Sequence, residues 1–318
     1  MKVIQVQEPG LLTTVQDLGR EGFGPLGVSP SGAADPISLR IGNRLVGNAE
    51  GAAGLETTLL GGTFLFPEGT ILALTGSDFG AALDDRPLSL WTPVEARPGQ
   101  SLRLGPTRSG ARCYLCVQGG IAVTPFLGSA STHILSGLGG HEGRALRKGD
   151  VLNIGSAIRG EAEAAYRKRT LATKALERLS PRKVFRVTPG PQSDWFPESA
   201  QQIFYARTYR VAEESNRMGL RLEGAPVPEA SGGQMITEGV SIGAVQIPSG
   251  GSPIILFVEQ QTTGGYAKIA NVISADLHSL GQLRPRDEIR FERVEWETAR
   301  SFLKEQEDLL ASEDLILG

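Results

Sequence analysis

Cysteine is nearly missing from this chain: Cys113 and Cys116 are the only two in 318 residues. That excludes a disulfide-stapled scaffold and points to a reducing, cytoplasmic setting. Histidine is scarce too, at three residues, His133, His141 and His278. A structural zinc site beside Cys113-x-x-Cys116 would need a second ligand pair, and residues three apart on a strand face opposite sides. The cysteines therefore read as ordinary strand residues, and no metal site is expected. No apolar run approaches the length that spans a bilayer, and the opening MKVIQVQEPG has no signal-peptide core. Charge of one sign is also lacking. The formal net charge is −3 and the one basic cluster is Arg167-Lys168-Arg169, so neither nucleic acid nor a membrane is an expected partner. No Gly-Lys dipeptide occurs, which excludes a Walker A loop, and Gly137-x-Gly139 near Gly143 misses the dinucleotide-binding spacing.

Glycine is abundant, with 41 residues, while 40% hydrophobic and 21% charged residues fit a soluble globular protein. The glycine excess suits many short strands joined by tight turns. Strands are expected at Lys2–Gln7, Leu11–Gln16, Thr63–Phe66, Thr70–Gly76, Ser89–Val94, Ser101–Gly105, Ala111–Val117 and Val151–Ile154. One helix is well marked: Asp35 as N-cap, Pro36 at its first position, Ile37, Ile41 and Leu45 at four-residue spacing, and Gly47 to end it. Asn43 and Arg44 fall away from that apolar face.

These signals divide the chain into a β-rich half at 1–159, a charged, partly helical linker at 160–182, a second β-rich half at 183–293, and a C-terminal helix within 294–318. Trp296, Phe302, Leu303, Leu309 and Leu310 give that helix an apolar stripe. Leu146–Ile154 and Leu283–Phe291 echo one another, each a turn followed by a strand, which suggests two related halves. Many short strands without βαβ alternation favour barrels or sandwiches.

The densest chemistry lies between Glu238 and Leu277. Ala244–Ile247 reads as a strand, Pro248-Ser249-Gly250-Gly251 as a turn, and Ile254–Val258 as a strand buried on both faces. That strand delivers Glu259, Gln260, Gln261, Thr262 and Thr263 onto Gly264-Gly265, followed by Tyr266 and Lys268. Such an end gathers polar side chains and bare N–H groups in one place; the plain alternative is a hairpin with a polar tip. Gly239-Val240-Ser241-Ile242-Gly243 matches a nucleophile elbow as a string, but that elbow needs a strand-to-helix turn and a strand follows here. Arg217 is able to grip a carboxylate or phosphate; the alternative is a surface pair with Glu213 or Glu214.

Several runs together resemble one family, that of the KipA antagonist and the KipA-type subunit of 5-oxoprolinase, also described as allophanate hydrolase subunit 2 and as the biotin-dependent carboxyltransferase domain of urea carboxylase. They include Pro9-Gly-Leu-Leu-Thr-Thr-Val-Gln-Asp-Leu-Gly-Arg20, Gly27-Val-Ser-x-Ser-Gly-Ala-x-Asp35, Asn43-x-Leu-Val-Gly-Asn48 and Leu127-Gly-Ser-x-Ser-Thr132. Others are Pro189-Gly-Pro-Gln192, Arg217-Met-Gly-x-Arg-Leu-Glu-Gly224, Gly243-Ala-x-Gln-x-Pro248 and Gln261-Thr-Thr-Gly-Gly-Tyr266. Asn216 and Glu259 stand where the family usually has Asp, and Ala267 where it has Pro.

The resemblance implies a mainly β fold of two cyclophilin-like β-barrel halves with a few short helices. It implies an ATP-dependent 5-oxoprolinase complex, opening the lactam of 5-oxo-L-proline to L-glutamate, with a KipI-like protein and a LamB/YcsF-like protein as partner subunits. ATP is used by the complex, through a component the sequence does not identify. Two alternatives stand beside it: a carboxyltransferase acting with carboxybiotin on urea or a related amide, and a regulatory protein that binds a KipI-like kinase inhibitor. A lactam is a poor electrophile, so its activation needs cations or N–H donors near the developing charge and a carboxylate to activate water. The catalytic candidates are Lys268, Tyr266, Glu259 and Asp276. The substrate-binding candidates are Ser29, Ser31, Asn43, Arg217, Gln246, Gln261, Thr262, Thr263, Gly264 and Gly265.

Overall fold

The computed structural model describes residues 2–156, 169–228 and 235–318. The chain is mainly β with a few short helices, and it divides into two compact units. One comprises Met1–Arg20, Ser31–Leu179 and Leu309–Gly318, the other Glu21–Pro30 and Ser180–Asp308. Residues 160–168 of the expected linker lie outside the described residues; its remainder holds the short strand Thr170–Leu171 and the helix Thr173–Arg178.

The first unit is built on a seven-stranded and a five-stranded sheet. Alternation explains how its apolar runs are used. On strand Thr70–Gly76, Leu72 and Leu74 join a buried cluster with Phe64, Leu102 and Leu115. Ile71 and Ala73 join another, with Ile37, Ile41 and Leu45 of helix Pro36–Leu45. A strand covered on both faces needs a continuous apolar run, which is what TILALTG supplies. The same alternation sends Cys113 and Cys116 of strand Arg112–Val117 into different clusters, and both are free thiols. Burial, with a contribution from the Asp78 charge, pushes the Cys113 thiol up to about 12, so it is inert at neutral pH.

Helix Pro36–Leu45 begins as its sequence dictates, with the Asp35 carboxylate accepting from the Ser38 N–H at 3.0 Å. Gly47 beyond its end has φ +76°. Asn43, expected on the polar side, is instead buried. Its amide donates to the carbonyls of Glu50 (3.1 Å) and Ala52 (2.7 Å) and its oxygen accepts from Asn48 (3.0 Å), so it ties down the turn after the helix. Of the expected strand Ser89–Val94, pairing begins only at Pro93.

The second unit is a closed barrel of seven strands. In spatial order these are Val184–Pro189, Lys268–Val272, Ala244–Gln246, Ile254–Leu256, Gly219–Glu223, Tyr209–Val211 and Glu288–Arg293. All neighbours are antiparallel except the closing pair, where Val184–Pro189 runs parallel to Glu288–Arg293. The turn at Pro248–Gly251 forms as expected: Gly250 and Gly251 take φ of +97° and +79°, and the Gly251 N–H reaches the Pro248 carbonyl at 3.0 Å. A helix that the pattern did not announce, Glu198–Ala206, stacks its Phe204 ring on Phe291 with centroids 4.5 Å apart. The expected C-terminal helix runs Trp296–Ala311, but Trp296 leaves the apolar stripe and is 70% exposed.

The echo seen in sequence is one local structure used twice. Asp150 accepts from the Arg147 N–H at 2.7 Å, and Asp287 from the Arg284 N–H at 2.9 Å, each just before a strand, Val151–Ile154 or Glu288–Arg293.

Candidate functional site

Beside the barrel strand Lys268–Val272 lies a cavity of about 500 Å³ within the second unit. Its wall takes Gly24 and Pro25 from the 21–30 segment, Glu238 to Ser241 and Thr262 to Thr263 from a short two-stranded ribbon, and Lys268 and Asn271 from the barrel. In a regular strand Lys268 and Asn271, three apart, would face opposite sides. The pairing with Ala244–Gln246 shows why they do not. Gln246 pairs with Lys268 and Val245 with Ala270, so Ile269 is an extra residue on its strand. A bulge of this kind reverses the alternation beyond it and brings both side chains to one cavity.

Lys268 is the cation of the site. Its side chain is only 4% exposed, and its Nζ lies 2.6 Å from Oε1 of Glu238, whose side chain is 45% exposed. That oxygen is the one charged partner of Nζ among the described residues. Gln192 frames the pair: its amide donates to Glu238 Oε1 at 2.9 Å, and its oxygen accepts from the Lys268 backbone N–H at 3.2 Å. Lys268 first and the Gln192 amide second hold the Glu238 carboxyl below its ordinary range. Asn271 Oδ1, on the same wall, is buried with no hydrogen-bond partner among the described residues. So is Nε2 of Gln246, which packs on the bare Cα of Gly264; a Cβ there would sit 2.6 Å from that nitrogen. Neither Gly264 nor Gly265 has positive φ, so backbone conformation does not require glycine at either position.

Of the residues singled out from sequence, Lys268, Thr262 and Thr263 line this cavity, and Gln246 and Gly264 pack together behind it. The backbone of Thr263–Gly264 is paired with Glu238–Gly239, so these are ladder residues and not a bare N–H cradle. Gln261, Gly265 and Tyr266 are exposed and do not line the cavity, Tyr266 at 48%. Glu259 is buried against Arg217, its carboxylate on the guanidinium Nε and its N–H on the Arg217 carbonyl at 2.8 Å. Arg217 is thus neither a ligand clamp at this cavity nor the surface partner of Glu213, which pairs with Arg286 at 2.7 Å. Asp276 is fully buried in a bidentate pair with Arg186 and also accepts from the Arg186 N–H at 2.9 Å. Ser29 is buried, and Ser31 donates to the Thr132 carbonyl at 3.2 Å in the first unit.

Sequence reasoning missed Glu238, Gln192 and Asn271, and dismissed Ser241. The elbow string does fail as an elbow, because Gly243 turns at φ +81° into the strand Ala244–Gln246. Ser241 nevertheless lines this cavity and a second, of about 390 Å³, which also takes Asn271, Ile242, Trp296 and Leu303. Gln192 lies in the quoted Pro189–Gln192 run, which was the one signal available for it. Among the described residues no three His, Cys, Asp or Glu side chains are grouped to hold a metal ion, and no helix is long and apolar enough to cross a membrane.

The family model for the carboxyltransferase domain, subdomains A and B, matches residues 26–293. The C subunit of 5-oxoprolinase from Escherichia coli K12 is 38% identical over 309 residues, 96% of each chain, and that from Haemophilus influenzae 36% identical over 92% of each. Urea amidolyase of Saccharomyces cerevisiae is 36% identical over 96% of this chain, which spans 17% of that enzyme. The crystal structure of Kluyveromyces lactis urea amidolyase superposes with a TM-score of 0.88 at 31% identity, covering 99% of this chain and 21% of that one.

Proposed function

The chain belongs to the carboxyltransferase-domain family, subdomains A and B, and from that footing we propose that it is the C subunit of an ATP-dependent 5-oxoprolinase. It acts with the KipI-like and LamB/YcsF-like subunits to convert 5-oxo-L-proline, ATP and water to L-glutamate, ADP and phosphate. The observation that carries this reading is the end-to-end match to two 5-oxoprolinase C subunits, with 96% and 92% of their lengths covered. The cavity agrees with it in size and charge. About 500 Å³ suits a small ring, and a buried ammonium beside an unsatisfied carbonyl acceptor suits a molecule that is anionic at one point and an N–H donor at another.

In this reading Lys268 faces negative charge on the substrate, and Asn271 Oδ1 accepts from the lactam N–H. Lys268 is the one cation among the described lining residues and already has a counter-charge in Glu238, so a triphosphate finds no match there. In this reading ATP binds away from this cavity, and no step here runs through it. Glu259 and Asp276, the carboxylates expected to activate water, are committed to Arg217 and Arg186 and do not line this cavity. The chain's share is therefore binding and charge stabilisation, with water activated by groups contributed in the assembled complex.

A second reading, a carboxyltransferase half working with carboxybiotin on urea or a related amide, is favoured by the 36% identity to urea amidolyases. The chain spans only 17% of those enzymes, so the rest of such a machine would come from other chains. Mixing the purified chain with the KipI-like and LamB/YcsF-like proteins, 5-oxoproline and ATP should give glutamate only when all are present, and Lys268→Met should cut turnover at least tenfold. Glutamate formation without this chain, or none with all three proteins, would overturn the first reading.

A further inference from the structure

We infer that Glu238 is an internal stand-in for a ligand carboxylate, so that the cavity takes a small molecule with one carboxylate and a nearby amide N–H by exchanging it for Glu238 on Lys268. The inference rests on the site proposed above and specifies what that site recognises.

The asymmetry of the ion pair is the first ground. Lys268 belongs to the barrel wall, with its side chain 4% exposed, whereas Glu238 reaches it from a half-exposed position on a ribbon whose strands are two residues long. A buried ammonium must have a counter-charge, but the structure does not require that it be this one. The second ground is how lightly Glu238 is held. Lys268 and Gln192 both contact Oε1, and Oε2 has no bond to any described residue. The carboxylate can leave for water at small cost, because it is already partly hydrated.

The third ground is what remains unsatisfied on the wall. Lys268 Nζ meets a single carboxylate oxygen, and Asn271 Oδ1 has no donor, among the described residues. Native proteins rarely leave such groups buried without a reason, and the bulge at Ile269 places both on the same cavity. A carboxylate with an adjoining N–H is the ligand class that carries a partner for each of the two once Glu238 has moved away. Charge bookkeeping then selects among ligands. Exchanging one carboxylate for another keeps the ammonium neutralised throughout. A neutral amide cannot displace Glu238, and a dianion brings a charge that nothing on the wall matches.

The test is a calorimetric titration of the full chain, alone and in complex with the KipI-like and LamB/YcsF-like proteins but without ATP. The probes are 5-oxoproline and its neutral carboxamide. Glu238→Gln and Glu238→Ala should both bind 5-oxoproline at least fivefold more tightly than the unaltered chain, Lys268→Met should not bind it, and the carboxamide should bind none of them. Unchanged or weaker binding by both Glu238 variants overturns the inference, as does binding retained by Lys268→Met or a carboxamide that binds equally well. A complex that makes no glutamate when ATP is supplied in a separate assay, yet shows the carboxylate gain in the Glu238 variants, would remove the 5-oxoprolinase reading and leave the exchange standing.

Discussion

Glu56 in the first unit and Lys268 in the second are both buried charges on barrel or sheet strands, and they are matched in opposite ways. Glu56 accepts from the Tyr114 hydroxyl at 2.7 Å and the Ala34 N–H at 2.8 Å, with the buried Arg112 guanidinium 3.4 Å away. The Tyr114 hydroxyl in turn accepts from the Asp35 N–H at 2.7 Å, so the cluster holds the start of helix Pro36–Leu45 against its sheet. Burial first, and the Glu56 charge second, push that hydroxyl well above its ordinary range, which keeps it a donor. Lys268 has one half-exposed partner and faces a cavity. A network closed on itself reads as scaffold, and one left open on a cavity reads as a place for something else.

The contrast predicts different responses to loss of charge. Glu56→Gln keeps the shape but removes the buried carboxylate on which Tyr114, the Ala34 N–H and Arg112 converge, and should lower stability by about 3–5 kcal/mol, read as a fall in the urea midpoint. A change under about 1 kcal/mol would mean that the first network is as loosely held as the second.

Lys268→Met should behave the other way. It replaces a buried ammonium by a chain of similar volume and lets Glu238 turn to water, so the urea midpoint should stay within about 1 kcal/mol of the parent or rise. The tenfold loss of turnover expected of the same variant is also only about 1.4 kcal/mol, but it falls on function and not on folding. A loss of several kcal/mol in stability would class Lys268 with Glu56 and remove the distinction between scaffold and site.

The frame behind this contrast was legible in the sequence to different depths. The helix Pro36–Leu45 followed from local chemistry, because cap, proline and four-residue spacing all act within a few residues of each other. TILALTG and ARCYLCV announced strands, and that both faces of each are covered emerged only from the packing around them. The helix Glu198–Ala206 did not, since its anchor is the ring of Phe291, 87 positions from Phe204 along the chain. The site was half legible for the same reason. Lys268 and the threonines stood in a polar cluster, but pairing Lys268 with Asn271 depends on a bulge defined by the partner strand. Glu259 and Asp276 looked like available acids because sequence names residue types; Arg217 and Arg186, 42 and 90 positions away, decide that they are committed.

The smallest effects test whether the two units share their frame and differ only in their polar networks. The repeated turn places Gly149 and Arg286 at the same point, and both have positive φ, +92° and +72°. Glycine adopts that conformation freely, whereas a residue with a Cβ is strained by about 1 kcal/mol or somewhat more. Nothing lies within 4 Å of where a Cβ on Gly149 would be, so crowding does not enter and the strain is conformational alone. Gly149→Ala should therefore cost about 1 kcal/mol. Arg286→Gly should return about 0.5–1 kcal/mol, because its exposed pair with Glu213, at 2.7 Å, is worth little. The two shifts, read from urea midpoints, should be opposite in sign and similar in size. If Arg286→Gly destabilises instead, the turns are alike in hydrogen bonding but not in backbone energetics, and the comparison of the units would have to start from their frames and not from Glu56 and Lys268.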